Sequence, residues 1–403
     1  MRRALILLAA AALIGACADR TATGPESGVA ALEDGGTAFT SGAMRNNSTA
    51  ASNVRVATVN VYFGAPVDPI LEASEDEIPL AVAEAWAIVE QTDFPSRARA
   101  LAAELAKDKP HLIGLQEVAI LRTEPVFDPT SPAEDEYLDF LTIIVEELAA
   151  RNASYDVAVT LTTTDVELPK FDGLTDEGQP IISGVRLTDR DAILVRSDVP
   201  WSEEASNLYS VFLGPSFDPN IPIPIDVLRG WTAVTATVHG MDFRFVNTHL
   251  ESEDRGALHQ IRTGQAQELM LTFMGESRPL IVVGDFNSGP GRPLGEGEYP
   301  AYQLLLDAGY TDAWLLQPGK IDDGLTCCHA GDLSNMQPVF TQRIDLVLLR
   351  NMDGLGPHGG SPLVQASVFN DEPTDLKKYG VWSSDHAHVA AQVVLPNPQM
   401  AMK

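Results

Sequence analysis

Near the middle of the chain, Leu280-Ile281-Val282-Val283-Gly284-Asp285-Phe286-Asn287 runs an apolar stretch of strand length into an acid and an amide. In a strand, residues two apart point the same way, so Asp285 and Asn287 share a face. A carboxylate beside a carboxamide suits a phosphate, an attacking water or a bound cation. The same pattern of apolar strand and polar terminus recurs at Asn60, at Gln116-Glu117 and at Asn247-Thr248-His249. Arg343-Ile344-Asp345 and Ser383-Ser384-Asp385-His386 stand where the chain passes into strands. Acids, amides and imidazoles gathered at one edge of a sheet scaffold define a catalytic site.

The elements that must carry these groups alternate along the chain. Strands are expected at Val54–Val61, His111–Leu115, Tyr155–Thr160, Ala192–Val195, Trp231–Val238, Phe243–Thr248, Leu280–Val283, Ile344–Leu349 and His388–Val394. Helices are expected at Ile78–Gln91, Pro95–Lys107, Glu134–Arg151 and His259–Phe273. The Gly240-Met241 junction reads as a hairpin turn. Pro and Gly gather at 164–184, 213–224, 287–300 and 351–362, which predicts long surface loops. No internal repeat is present, and one catalytic domain is expected over 53–396, followed by a tail over 397–403.

The first residues read as a leader. Met1-Arg2-Arg3, an apolar run from Ala4 to Ile14 and Gly15-Ala16-Cys17 match a secretory signal, and the run is short of a bilayer span. Ile14-Gly15-Ala16-Cys17 resembles the bacterial lipobox, with 1–16 removed and Cys17 lipidated. Ala18, in place of Asp, favours the outer membrane or cell surface; plain secretion is the alternative. Residues 17–52 are small and polar, the composition of a flexible tether.

The net charge of −29 on 403 residues weighs against a polyanionic partner, because affinity for DNA rests on Lys and Arg contacts to phosphate. The remaining cysteines, Cys327 and Cys328, are adjacent, so they are either a vicinal disulfide or two thiols. No zinc-ligand spacing and no Gly-Lys-Ser/Thr phosphate loop occurs.

With these motifs in order from Asn53 to Pro396, the chain resembles the endonuclease/exonuclease/phosphatase superfamily, which spans deoxyribonucleases, sphingomyelinases and inositol 5-phosphatases. The resemblance implies an α/β (α+β) fold, a four-layer sandwich of two packed mixed β-sheets flanked by helices. It implies a Mg²⁺- or Mn²⁺-dependent hydrolase of ester bonds, with the metal at Glu117, supported by Asn60 and Asp385. Asp285 would orient the attacking water and Asn287 a non-bridging oxygen. His386, partnered by Asp345, would contact the phosphate, and His249 would protonate the leaving oxygen. His249 needs a carboxylate of its own; Asp189 is preferred, with Asp191 the alternative. Arg262 either reaches the substrate or forms a structural ion pair.

The expected substrate is a lipid or small-molecule phosphodiester, consistent with a membrane tether through the N-terminal lipid. A secreted nuclease acting on DNA, an inositol-type phosphomonoesterase and an inactive surface binding lipoprotein are the alternatives. Val211-Phe212-Leu213 with Ile221–Ile225 would supply membrane-facing loops, or else a packed excursion.

Overall fold

A computed structural model describes residues 51–214, 225–252, 259–290, 300–317, 322–352 and 364–396. The leader, Cys17, nearly all of the tether, most of Ile221–Ile225 and the tail lie outside the described residues.

Two sheets pack face to face. The first contains β1 (Ala51–Asn60), β2 (Leu112–Gln116), β3 (Ile120–Glu124), β4 (Asp135–Asp139), β5 (Tyr155–Leu174), β6 (Pro180–Arg196), β13 (Val364–Phe369) and β14 (His388–Pro396). Its order is β13-β14-β1-β2-β6-β3-β4, with β5 also on β6. The second contains β7 (Trp201–Leu208), β8 (Gly230–Val238), β9 (Met241–His249), β10 (Leu280–Asp285), β11 (Thr311–Asp312) and β12 (Asp345–Arg350), in the order β11-β12-β10-β9-β8-β7. Both sheets mix parallel and antiparallel pairs: β1 is parallel to β2, and β9 to β10.

Alternation along each strand feeds separate cores. Val56, Leu112, Ile193, Phe243, Phe245, Ile281 and Val347 meet between the sheets. On the outer face of the first sheet, Val59, Ile113 and Leu194 pack under α3 (Phe94–Asp108) and α4 (Phe140–Ala149), with Trp86 of α2 (Ile78–Thr92). Val246, Val282 and Leu348 pack under α5 (His259–Phe273) and α6 (Ala301–Asp307). The order is helix, sheet, sheet, helix, as the family resemblance implied. The short α1 (Asp68–Glu72) and α7 (Pro373–Tyr379) complete the helices among the described residues. None is long and apolar enough to cross a membrane.

Three local expectations are corrected. Residues 134–151 do not form one helix: Asp135–Asp139 is a strand paired with β3, and the helix starts after Asp139. The Asp139 carboxylate accepts from the Leu141 and Thr142 amides, which caps the helix there. Residues 164–184 are no loop, for β5 and β6 pair from Tyr155↔Arg196 out to Leu174↔Pro180. Cross-strand hydrogen bonds satisfy that backbone despite Pro169 and Gly173. The hairpin turn between β8 and β9 is His239-Gly240, both with positive φ (52° and 80°), the conformation that two-residue hairpins require.

Candidate active site

The sheet register aligns the chemistry. On three adjacent strands, His249 of β9 pairs across to Asp285 of β10, which pairs across to Asp345 of β12. Gly284, the residue before Asp285, has φ +153°, and a Cβ there would lie 1.9 Å from the Thr248 carbonyl oxygen, so only glycine lets β10 lie this close to β9. The facing sheet contributes Asn60 of β1 and, one residue past β2, Glu117. Asn247 ties the two together beneath the site, its amide donating to the Leu115 and Ala192 carbonyls at 3.0 and 3.2 Å.

Asp285 is the hub. Its Oδ1 accepts from the Asn287 amide at 2.8 Å and its Oδ2 from Asn60 Nδ2 at 3.1 Å. The Nε2 atoms of His249 and His386 lie 3.6 and 3.9 Å from the same Oδ2. Burial, and then the charge of Asp345, push the Asp285 carboxyl up to about 6. It is therefore ionised near neutrality yet basic enough to take a proton.

The two histidines are held in opposite states. His386 Nδ1 lies 2.8 Å from Asp345 Oδ2, and against the downward push of burial the acids Asp345, Asp385 and Asp285 hold it well above its ordinary value. It is a cation. His249 Nδ1 lies 2.9 Å from Arg229 Nη1. Arginine only donates, so Nδ1 accepts and the ring proton sits on Nε2, facing Asp285. Burial, then Arg229 and His386, push His249 well below its ordinary value, so it is neutral.

The carboxylate expected on His249 is thus replaced by a guanidinium. Asp189 lies 4.0 Å from the same Nη1 of Arg229 and accepts from Thr163 Oγ1. Glu251 is 3.9 Å from Nη2. Asp191 is fully buried, pushed well up by burial and by Asp189. The physical reason is register: Gly230 opens β8 directly across from His249, which delivers the preceding Arg229 to the imidazole.

Glu117 stands in the left-handed region, φ +59°, with Tyr62 (+65°) and Asn287 (+48°) nearby in sequence or site. Backbone strain of this kind collects at functional positions. Its Oε1 accepts from Asn60 Nδ2 at 3.0 Å and its Oε2 from the Phe63 amide at 3.1 Å. Burial, followed by the charges of Asp385 and Asp189, pushes Glu117 up to about 8. Asn60 turns its amide nitrogen to Glu117 and Asp285 while its oxygen accepts from the Tyr62 amide at 3.0 Å. Its nitrogen bridges the two acids, and its oxygen accepts one hydrogen bond. Asn287 Nδ2 donates to the Leu250 carbonyl at 2.9 Å and lies 3.3 Å from His249 Nε2.

The buried acids Asp285 and Asp345 gather with the half-buried Glu117 and Asp385, and Asp345 Oδ1 has no hydrogen-bond partner among the described residues. Asp285 and Asp345 bring carboxylate oxygens within 4.8 Å of each other, beside the His386 cation, whose two ring N–H groups leave it no lone pair for a metal. Hard oxygen donors with uncompensated charge fit a divalent ion such as Mg²⁺ or Mn²⁺.

Sequence reasoning missed Arg229, Glu251 and Arg97. A charged residue directly ahead of the apolar strand at 230–238 was the available signal for Arg229. Arg97, buried on α3, donates to the carbonyls of Val61 (2.8 Å), Tyr62 (3.1 Å) and Ser383 (3.3 Å), joining the segments that carry Asn60 and Asp385. Arg262 donates to the Glu251 and Ser252 carbonyls at 3.1 and 3.3 Å, and Gln265 accepts from the Glu251 amide at 2.8 Å; both position the Glu251 segment. His388 lies buried behind His386, 3.0 Å from Ser383 Oγ. Cys327 and Cys328 are joined as a vicinal disulfide beside His386.

The chain belongs to the Endonuclease/Exonuclease/phosphatase family, whose pattern it matches over residues 57–386. Members hydrolyse phosphoester bonds with a divalent metal. Among similar solved structures, an endonuclease/exonuclease/phosphatase of Beutenbergia cavernae is 17% identical, with 86% of this chain and 72% of that one covered and a TM-score of 0.49. The mannosyl-6-phosphatase of Bacteroides thetaiotaomicron is 16% identical, with 85% and 100% covered and a TM-score of 0.44. TDP2 of C. elegans is 14% identical, with 85% and 75% covered and a TM-score of 0.44. No curated protein matches the sequence.

Proposed function

We propose that this metal-dependent phosphoesterase hydrolyses a phosphodiester of a lipid or small molecule, through residues 53–396. The observation that carries the reading is the convergence of Asn60, His249 and His386 on one oxygen of Asp285, at 3.1, 3.6 and 3.9 Å. Asp285 orients the attacking water and takes its proton. The His386 cation and the Asn287 amide face the charge that develops on the phosphoryl oxygens. His249, neutral with its proton on Nε2, donates to the leaving oxygen as a hydrogen-bonding electrophile. Glu117 and Asp385, with Asn60 holding Glu117 in place, would hold Mg²⁺ or Mn²⁺, which supplies positive charge to the phosphate and the departing oxygen. No serine or cysteine nucleophile is required.

The net charge of −29 supports a substrate other than nucleic acid. The lipobox-like leader supports attachment to the bacterial cell envelope through Cys17, and a Cys17→Ser form that stays in the membrane fraction would count against it.

The test is a Mg²⁺- and Mn²⁺-dependent screen of the purified protein on sphingomyelin, phosphoinositides, bis-p-nitrophenyl phosphate, p-nitrophenyl phosphate and plasmid DNA. Glu117→Ala, Asp285→Ala and His386→Ala should each lower turnover by about 10² or more while remaining folded. Near wild-type activity in a folded variant removes that residue's role. Efficient DNA cleavage at physiological salt overturns the substrate class.

A further inference from the structure

A cavity of about 150 Å³ opens beside the site and shares its walls. Arg229, which holds His249, and Phe63, whose amide binds Glu117, both line it. The opposite wall is built by strand alternation: Val166 and Leu168 of β5 lie across from Leu187 and Val185 of β6. Continuing along that face of β6 by twos, the side chains pass from Val185 and Leu187 to Asp189 and Asp191. One strand face therefore leads from an apolar surface into the catalytic centre. Ile70 of α1 and Val82 of α2 close the side, packed with Leu168 and Val185.

The four β5 and β6 side chains are only half-buried, so the fold leaves apolar surface open to water next to its reactive groups. Arg229 is the sole cation among the described lining residues, and Asp189 and Glu251 face it at 4.0 and 3.9 Å. The described lining therefore offers no uncompensated positive charge to a second phosphate. Its volume equals that of an apolar cavity able to hold a benzene-sized group.

We propose that this cavity is the subsite for an uncharged aryl or short alkyl group esterified to the substrate phosphate. The proposal rests on the phosphoesterase reading of the adjoining centre. It excludes polyanions such as nucleic acid from this side of the site and selects monoanionic diesters with one apolar arm.

The experiment compares phenyl p-nitrophenyl phosphate with methyl p-nitrophenyl phosphate on the full chain with Mg²⁺, since both release the same leaving group. In parallel, calorimetry measures the affinity of phenylphosphonate against methylphosphonate. The phenyl compound is expected to lead by at least about tenfold in kcat/KM and in affinity, the order that burying one ring supplies. Leu187→Asn should bring both ratios close to one; if it does not fold, the milder Val166→Thr is used and should lower both. Equal affinity for the two phosphonates, or ratios unchanged in a folded Leu187→Asn protein, overturns the subsite. If neither diester turns over while phenylphosphonate still binds at least about tenfold tighter, the subsite stands and the phosphodiesterase reading falls.

Discussion

Replacing Arg229 with Gln separates two jobs that the structure gives to one guanidinium. It neutralises a buried pocket containing Asp189 and Glu251, 4.0 and 3.9 Å away, and it forces His249 Nδ1 to accept, at 2.9 Å. A unit charge pair at that distance is worth about 4 kcal/mol at an effective dielectric constant of about 20, and removing one partner of a buried pair costs about 3–5 kcal/mol. Taking about 3 kcal/mol, and about 2.1 cal/mol/K of unfolding entropy per residue, Tm should fall by about 4 °C. The second job appears in turnover. Without Arg229 the proton of His249 is free to move to Nδ1, turning an acceptor toward the leaving oxygen, and kcat should fall by about 10². Adding Glu251→Gln removes one of the stranded acids. The double variant should recover at least about 1 kcal/mol of stability by a double-mutant cycle, with no recovery of kcat. Calorimetry and steady-state kinetics read both effects. A folded Arg229→Gln protein with kcat within about twofold of wild type would refute the assigned tautomer of His249.

Glu117→Gln should abolish the rise in Tm that Mg²⁺ produces, a stabilisation of about 2.7 kcal/mol at a hundredfold excess over Kd; a shift equal to wild type would move the metal elsewhere. Asp345→Asn keeps the shape of the 2.8 Å contact to His386 but removes the charge, and should lower kcat by about 10- to 100-fold; a folded variant with unchanged kcat would remove its role. Glu104, on the buried face of α3 beside Ser383, is raised to about 8 by burial and then by the charge of Asp375. Because its folded pKa exceeds the unfolded value near 4.5, its contribution to stability is complete below that value and is lost as pH rises through about 8. Glu104→Gln should therefore flatten the decline in Tm between those two pH values. An unchanged slope in urea or thermal titrations would show that Glu104 ionises freely.

What could be read before folding depended on how far each group lay from its partner. Leu280–Asp285 is buried at every position, so its continuous apolar run identifies it as an interior strand, and the polar residues at its end follow. Asp285 and Asp345 stand at strand termini and His386 two residues ahead of β14, so they meet at one edge, a property that local pattern exposes. The β5–β6 arm was hidden because its exposed and half-buried positions mix Thr, Asp, Pro and Gly, the composition of a loop. Leu138 misled in another way. It continues the helical spacing of Leu141, Ile144 and Leu148, although it lies in β4 before the Asp139 cap. Arg229 showed only as a charge ahead of an apolar strand, and nothing local tells which of the chain's histidines Gly230 will face across the sheet.

The alignment of His249, Asp285 and Asp345 on three adjoining strands has a kinetic meaning. Neighbouring strands are kept about 4.8 Å apart by their ladder hydrogen bonds, so the separation of the reacting groups is a lattice constant of the sheet. These three groups stand in register through the sheet's own hydrogen bonding. Adaptation to new substrates can then proceed in the surrounding arm and loops while the reaction coordinate stays on the same rigid ruler.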